Sequence, residues 1–308
     1  MKTLYYAPPA CFEHQTNPQH PESAARLHAI HTAVVQTALP HIEQAHATPA
    51  TRNDLRRAHD PRYIENVFST IPNIGFNFLD DETVVSPQTG DACLAGIGAV
   101  QGAIYRVAGE KNLNAFCAIR PPGHHAKPAQ AAGFCIFNNT ALGALYALTL
   151  PQVSRVAILD FDVHHGDGTQ DIVKDYPDIF FASTYQYPLD GADEKTQAVT
   201  GCCNNVYNIP LPAGTMGEAL LLVWQNKILP AVVAFKPDII IVSAGFDGHA
   251  DDPLAGWQLQ VPDYGQLMHM ITATAATVCQ GRVVCVLEGG YDLTGLTQSV
   301  LATLKAME

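Results

Sequence analysis

The 308-residue chain has no low-complexity tract, no internal repeat, no C-x-x-C pair and no break in composition that would mark a linker. These absences argue against a disordered chain, a solenoid, a cysteine-rich zinc module and a string of separate domains. Charged residues are also scarce, at 15% against 47% hydrophobic, so the chain can bury a large core. Basic residues are the scarcer of the two charged classes: 17 Lys and Arg face 29 Asp and Glu, a net charge of −12. Such a field favours solubility, repels nucleic-acid backbones and mildly attracts cationic substrates such as lysine side chains or polyamines. The N-terminal MKTLYYAPPA ends its short apolar run at Pro8-Pro9 and lacks the core of a signal peptide. Between Lys127 and Arg155 the longest uncharged stretch is broken by Gln130, Asn138, Asn139, Pro151 and Gln152, so no membrane span is expected. The cysteines, Cys11, Cys93, Cys117, Cys135, Cys202, Cys203, Cys279 and Cys285, read as buried free thiols suited to a reducing cytoplasm.

Short aliphatic runs alternate with longer helical patterns, the signature of βαβ units around a mostly parallel sheet. Strands are expected at Thr3–Tyr6, Ala115–Ile119, Val156–Asp162, Ile179–Ser183, Val206–Ile209, Ile239–Val242 and Val283–Leu287. Helices are expected at Pro21–Leu39, Gly90–Ala108, Asn139–Leu148, Gly217–Ala234 with a kink at Pro230, Asp263–Val278 and Leu293–Met307. Residues 1–308 therefore read as a single α/β domain, long for one domain but within reach of a fold with one central sheet.

Four of these strands run into loops rich in Gly, His and Asp: IRPPGHHA, DFDVHHGDG, VSAGFDGHADDP and VLEGGYD. In open parallel sheets the ligand crevice lies beyond the carboxyl ends of the strands, so the four loops should meet. Alternation along V-A-I-L-D-F-D-V-H puts Asp160, Asp162 and His164 on one face, where the strand leaves the core. Two carboxylates and an imidazole crowded there call for a cation. Asp162 and His164 supply two ligands and Asp247 is the first choice for a third, with Asp251 or Asp252 as substitutes. Oxygen and nitrogen donors admit Zn²⁺, Fe²⁺, Co²⁺ or Mn²⁺. His124 and His125 follow Arg120-Pro121-Pro122-Gly123, with Asp160 and Asp167 available to orient them, so one imidazole can carry a proton from the attacking water to a leaving amine. Tyr291, after Gly289-Gly290, can aim its hydroxyl at a developing oxyanion.

These strings closely resemble the histone-deacetylase-like family of the arginase–deacetylase superfamily: HPESAARL (His20–Leu27), RPPGHHA (Arg120–Ala126), GFCIFNN (Gly133–Asn139), DFDVHHGDGTQ (Asp160–Gln170), AGFDGHADDPLAG (Ala244–Gly256) and EGGYD (Glu288–Asp292). The EGGY form looks like the class II branch and its bacterial relatives. The resemblance implies an arginase–deacetylase fold with about eight strands and one zinc per chain on Asp162, His164 and Asp247. It implies dyads of His124 with Asp160 and His125 with Asp167, with His125 as general base and then acid, His124 mainly electrostatic, and Tyr291 on the scissile carbonyl. An acyl-lysine tunnel would be walled by Phe134 and Tyr187, with the Gly133 carbonyl accepting the substrate amide proton. A structural potassium would sit on backbone carbonyls including Asp160, Asp162, His164 and Ser183.

Tyr187 stands where many members have phenylalanine, and Leu254 where the polyamine-selective branch has glutamate, which argues for acylated lysine peptides over acetylpolyamines. Asp80 or Asp81 could hold a substrate backbone or amine at the rim. The alternatives are an acetylpolyamine or other small-amide hydrolase, a non-catalytic binder of acylated ligands, and a binuclear manganese hydrolase that needs more ligands than these loops provide. The C-terminal helix and the loop Leu189–Gly201 offer surface for an oligomer, but nothing specific marks either one.

Overall fold

The apolar runs become neighbouring strands of one sheet in the computed structural model, which describes residues 1–188 and 198–308. In chain order the strands are β1 (Lys2–Tyr6), β2 (Ile42–Ala45), β3 (Asn77–Phe78), β4 (Val84–Val85), β5 (Leu113–Cys117), β6 (Val156–Asp160), β7 (Ile179–Gln186), β8 (Ala198–Thr200), β9 (Val206–Leu211), β10 (Ile239–Ala244) and β11 (Val283–Leu287). The helices are α1 (Pro9–Glu13), α2 (Ala24–Thr37), α3 (Arg52–Leu55), α4 (Pro61–Thr70), α5 (Thr89–Gly109), α6 (Asn139–Ala147), α7 (Asp167–Val173), α8 (Gly217–Val223), α9 (Leu229–Phe235), α10 (Val261–Val278) and α11 (Leu293–Ala306).

Nine strands form the main sheet in the order β2-β1-β5-β11-β10-β6-β7-β9-β8, while β3 and β4 make a small antiparallel pair apart from it. Every pairing in the nine-stranded sheet is parallel except that of β8 with β9. Strands β5, β6, β7, β10 and β11 are buried at every position, as expected where helices cover both faces of a parallel sheet. The whole forms one α/β domain, with a ninth strand beyond the eight expected.

Three differences from the sequence reading have a direct physical reason. Helix α2 starts at Ala24, three residues after Pro21, because Glu22 turns inward to meet buried arginines. The kink expected at Pro230 is a π-helical turn, Trp224–Ile228, joining α8 to α9. Proline cannot donate its i→i−4 hydrogen bond, so the helix widens on its N-terminal side instead of breaking. Six cysteines are buried as expected, but Cys202 and Cys203 are exposed, because they lie in a turn and not in an apolar run.

Helix α5 and the stretch Gly217–Phe235 are long and apolar enough to cross a membrane. Of the most apolar window of α5, 67% is buried inside the domain, and the second stretch is interrupted by the π turn.

Candidate active site

The four chemistry-bearing loops leave β5, β11, β10 and β6, which are four consecutive strands at the centre of the sheet. All run parallel, so their carboxyl ends stand side by side, and Ser243 of β10 pairs directly with Asp160 of β6. The expected convergence is thus a consequence of strand order.

Asp162, His164 and Asp247 come together with their ligand atoms within 4.8 Å of one another. His164 Nδ1 lies 3.1 Å from Asp162 Oδ1 and 3.0 Å from Asp247 Oδ2. One imidazole nitrogen can offer a single proton, yet two buried carboxylates face it; a divalent cation bound by all three satisfies that arrangement. Tetrahedral ligation at about 2.0–2.1 Å puts ligand atoms roughly 3.3 Å apart, close to this spacing. Burial opposes charge on His164, but Asp247 and Asp162 outweigh it and push the imidazole up to about 10, the response of a site whose two carboxylates call for positive charge. Backbone N–H groups orient the carboxylates: Gly289 donates to Asp162 Oδ2 at 2.9 Å and Val163 to Asp247 Oδ1 at 3.0 Å. Of the substitutes, Asp251 is exposed, and Asp252 is engaged by other backbone groups.

His124 and His125 sit with ring centroids 4.1 Å apart. His124 Nδ1 is 3.1 Å from Asp160 Oδ2, and His125 Nδ1 is 2.8 Å from Asp167 Oδ1, whose other oxygen takes Lys127 Nζ at 2.9 Å. Their environments differ sharply. Burial and the neighbouring His124 charge hold His125 down at about 4. Burial also works against charge on His124, yet Asp162 and Asp160 raise it well above its usual value. The two adjacent imidazoles are thereby pushed in opposite directions, His125 towards its neutral form and His124 towards its charged one.

Tyr291 follows Gly290, whose φ is +120°, a conformation that glycine adopts without strain. Burial raises the phenol well above 10, so it remains an O–H donor. A second set of buried charges holds this turn, and the sequence reading gave it no role. Arg26 donates from Nε to Gly290 O at 2.6 Å and from Nη2 to Glu288 O at 2.5 Å. Its guanidinium also lies 5.0 Å from the centre of the Tyr291 ring. Glu22 accepts from Arg26 Nη1 at 3.2 Å and from Arg120 through Nε and Nη2. Burial alone would push Glu22 up, but the two arginines overcome it and hold the carboxyl near 2. A signal was present in HPESAARL: Glu22 and Arg26 are i, i+4 partners among small and apolar residues, a place where an exposed pair is unexpected.

Glu288 is the other buried carboxylate that the sequence reading left without a role. It accepts from Gly123 N at 2.7 Å, His124 N at 3.2 Å and Ser243 Oγ at 3.1 Å, tying the histidine loop to the end of β11.

Phe134 stands edge-on to Tyr291 at 5.8 Å and to His20 at 4.6 Å. Gly133 has φ +52°, and a Cβ there would lie 2.3 Å from His125 Cδ2. Tyr187 follows Gln186, whose Oε1 accepts from Gly256 N at 2.8 Å, bringing the end of β7 beside the loop of Leu254. Leu254 is 37% exposed. Ser183 is the sheet partner of Asp160, and its hydroxyl accepts from Gly166 N at 3.3 Å, so the four residues named for potassium adjoin one another. Asp80 accepts from Glu82 N, Thr83 N and Thr83 Oγ1 in its own turn, and Asp81 is exposed. In the loop Leu189–Gly201, residues 189–197 lie outside the described residues.

Residues 20–307 match the histone deacetylase domain. The chain is 36% identical to histone deacetylase 14, chloroplastic, of Arabidopsis thaliana, covering 99% of this chain and 76% of that one. It is 34% identical to the histone deacetylase-like amidohydrolase of Pseudomonas aeruginosa, covering 92% and 74%. An uncharacterized protein of Synechocystis is 38% identical over 96% and 95%. The crystal structure of the HDA15 HD domain superposes with a TM-score of 0.91 at 27% identity, covering 99% of this chain and 88% of that chain. With its nine-stranded sheet and its gathered Asp, His and Tyr residues, the chain belongs to the histone deacetylase family and is a hydrolytic enzyme of the deacetylase and amidohydrolase kind.

Proposed function

We propose that this enzyme hydrolyses the amide of acyl-lysine substrates with one divalent ion, zinc being the best match, held by Asp162, His164 and Asp247. The observation that carries this reading is the two-carboxylate, one-imidazole cluster with the Asp167-paired ring of His125 6.0 Å from that of His164 and with the glycine turn before Tyr291 donating to Asp162. The ion would supply Lewis acidity at the carbonyl and acidify the water that attacks it. His125, oriented by Asp167, takes the proton of that water and returns it to the departing amine. His124, paired with Asp160, would stabilise negative charge as it builds. Tyr291 donates its hydroxyl to the oxygen that becomes the oxyanion. Phe134 and Tyr187 would wall the acyl-lysine chain, and the Gly133 carbonyl would accept the amide N–H. A potassium ion on the carbonyls of Asp160, Asp162, His164 and Ser183 would offset the remaining carboxylate charge beneath the site.

An apolar Leu254 at the rim favours a lysine peptide over a polyamine. The test is kcat/KM of the zinc-loaded enzyme on a matched panel of acetyl-lysine peptide, longer acyl-lysines, N-acetylputrescine and N-acetylspermidine. Preference for the peptides is expected; preference for the acetylpolyamines would overturn the substrate assignment. Tyr291→Phe should lower kcat about 100- to 1000-fold with metal retained, the scale of losing one oxyanion donor. Unchanged turnover would remove that role from the hydroxyl.

Gly133→Ala should lower kcat about 10- to 100-fold, because the new methyl must displace the His125 ring. Metal content by elemental analysis should stay at the wild-type level, which separates a displaced base from a lost ion.

A further inference from the structure

The structure assigns Asp252 as a positioning residue for Tyr291, an inference that rests on the oxyanion role proposed above for that tyrosine. Asp252 is 7% exposed and is not among the three gathered metal-ligating residues. Its Oδ2 accepts from Tyr291 N at 2.7 Å, and its Oδ1 accepts from Leu254 N at 3.0 Å. The Gly290–Tyr291 peptide is therefore gripped at both ends. Its carbonyl oxygen takes Arg26 Nε at 2.6 Å and its N–H goes to Asp252.

Holding both ends of one peptide plane fixes the plane's rotation, which the freedom of Gly290 would otherwise leave loose. The Cα–Cβ bond of Tyr291 hangs from that plane, and the hydroxyl lies a full ring length beyond it. A modest rotation is amplified to roughly an ångström at the oxygen, and misplacement on that scale costs about 100-fold in rate. The same carboxylate fixes the backbone of Leu254, so the oxyanion donor and the rim residue share one anchor. Asp252 itself is held from behind, its N–H donating to His249 O at 2.9 Å.

The test is a double-mutant cycle on the zinc-loaded full chain, using wild type, Asp252→Ala, Tyr291→Phe and the double variant. The first readout is the Kd of a simple alkyl hydroxamate, whose carbonyl takes the place of the scissile one. The second is kcat and KM on acetyl-lysine peptide. Asp252→Ala should weaken the hydroxamate about tenfold and lower kcat by 10- to 100-fold at nearly constant KM. In the Tyr291→Phe background it should change the hydroxamate Kd less than about twofold, because the hydroxyl it positions is gone. Asp252→Asn, which keeps one acceptor oxygen, should fall between wild type and alanine, and it serves if the alanine variant folds poorly.

Equal losses in both backgrounds, or no loss in either Asp252 variant, would overturn the assignment. If Tyr291→Phe alone leaves hydroxamate affinity and kcat unchanged, the oxyanion role fails first, and the positioning role goes with it. The hydroxamate readout does not depend on which acylated amine the enzyme prefers.

Discussion

Replacing Asp247 with alanine should abolish amide hydrolysis, with kcat/KM falling at least about 10⁴-fold. The side chain supplies one of two carboxylates that face His164, and without it the remaining aspartate and imidazole make a two-ligand site. Losing a Lewis acid removes several kcal/mol of charge stabilisation together with the activated nucleophile, and about 1.4 kcal/mol corresponds to each factor of ten. Elemental analysis of the purified variant should show well under one ion per chain. The loss should not come from unfolding. Asp162 and Asp247 are both fully buried, and burial followed by the Asp162 charge pushes the Asp247 carboxyl up. In metal-free protein, removing Asp247 relieves its repulsion with Asp162 but takes a partner each from His164 and Val163 N–H, so a cooperative melt within a few degrees of metal-free wild type is the control for folding. Retained metal with more than a tenth of wild-type activity would show that Asp247 is not a ligand.

The second large effect is on stability. Glu22→Ala should destabilise the fold by about 3–5 kcal/mol, since it leaves Arg26 and Arg120 buried without their shared counter-charge. For a domain of this size that amounts to a fall of roughly 10 °C in the melting temperature. The sign with pH follows from the depressed carboxyl. Glu22 titrates near 2 in the folded chain and near the ordinary glutamate value unfolded, so its contribution is fully present above about pH 4.5. It fades as pH drops toward 2, and the gap between wild type and variant should narrow over that window. A melting temperature within two degrees of wild type at neutral pH would show that the arginines find other partners.

The seven strands legible in the sequence are the seven contiguous inner strands of the sheet, β1 through β9 in spatial order. Five of them are buried at every position, β1 is so after Lys2, and β9 carries a core of apolar residues among half-buried ones, which single-sequence patterning reports directly. Its two edges were not legible. β2 reads Ile-Glu-Gln-Ala with both middle residues exposed, and β8 has three residues, so neither has the composition of a buried strand. Helices α1, α3 and α7 were too short to show a period, and α4 was also missed. In the site, the candidate metal ligands and the histidine pair were readable because their types are rare together and sit at strand ends. The support beneath Tyr291 was not, because Arg26 acts on backbone carbonyls, and the sequence of a carbonyl's residue does not reveal who holds its oxygen.

That grip joins Arg26 to Gly290 across 264 positions of chain, and it bears on how the enzyme is born. A nascent chain presents Glu22 and Arg26 long before residue 290 is synthesised. Arg120 can meet Glu22 sooner, but the two carbonyls that Arg26 holds, of Glu288 and Gly290, come last. Asp162, His164 and Asp247 emerge earlier, but β11 lies between β5 and β10 and Gly289 N–H donates to Asp162 Oδ2, so that cluster too is completed only when residues 283–290 arrive. Competence thus arrives in one late step, when the turn forms and the waiting arginine closes over it.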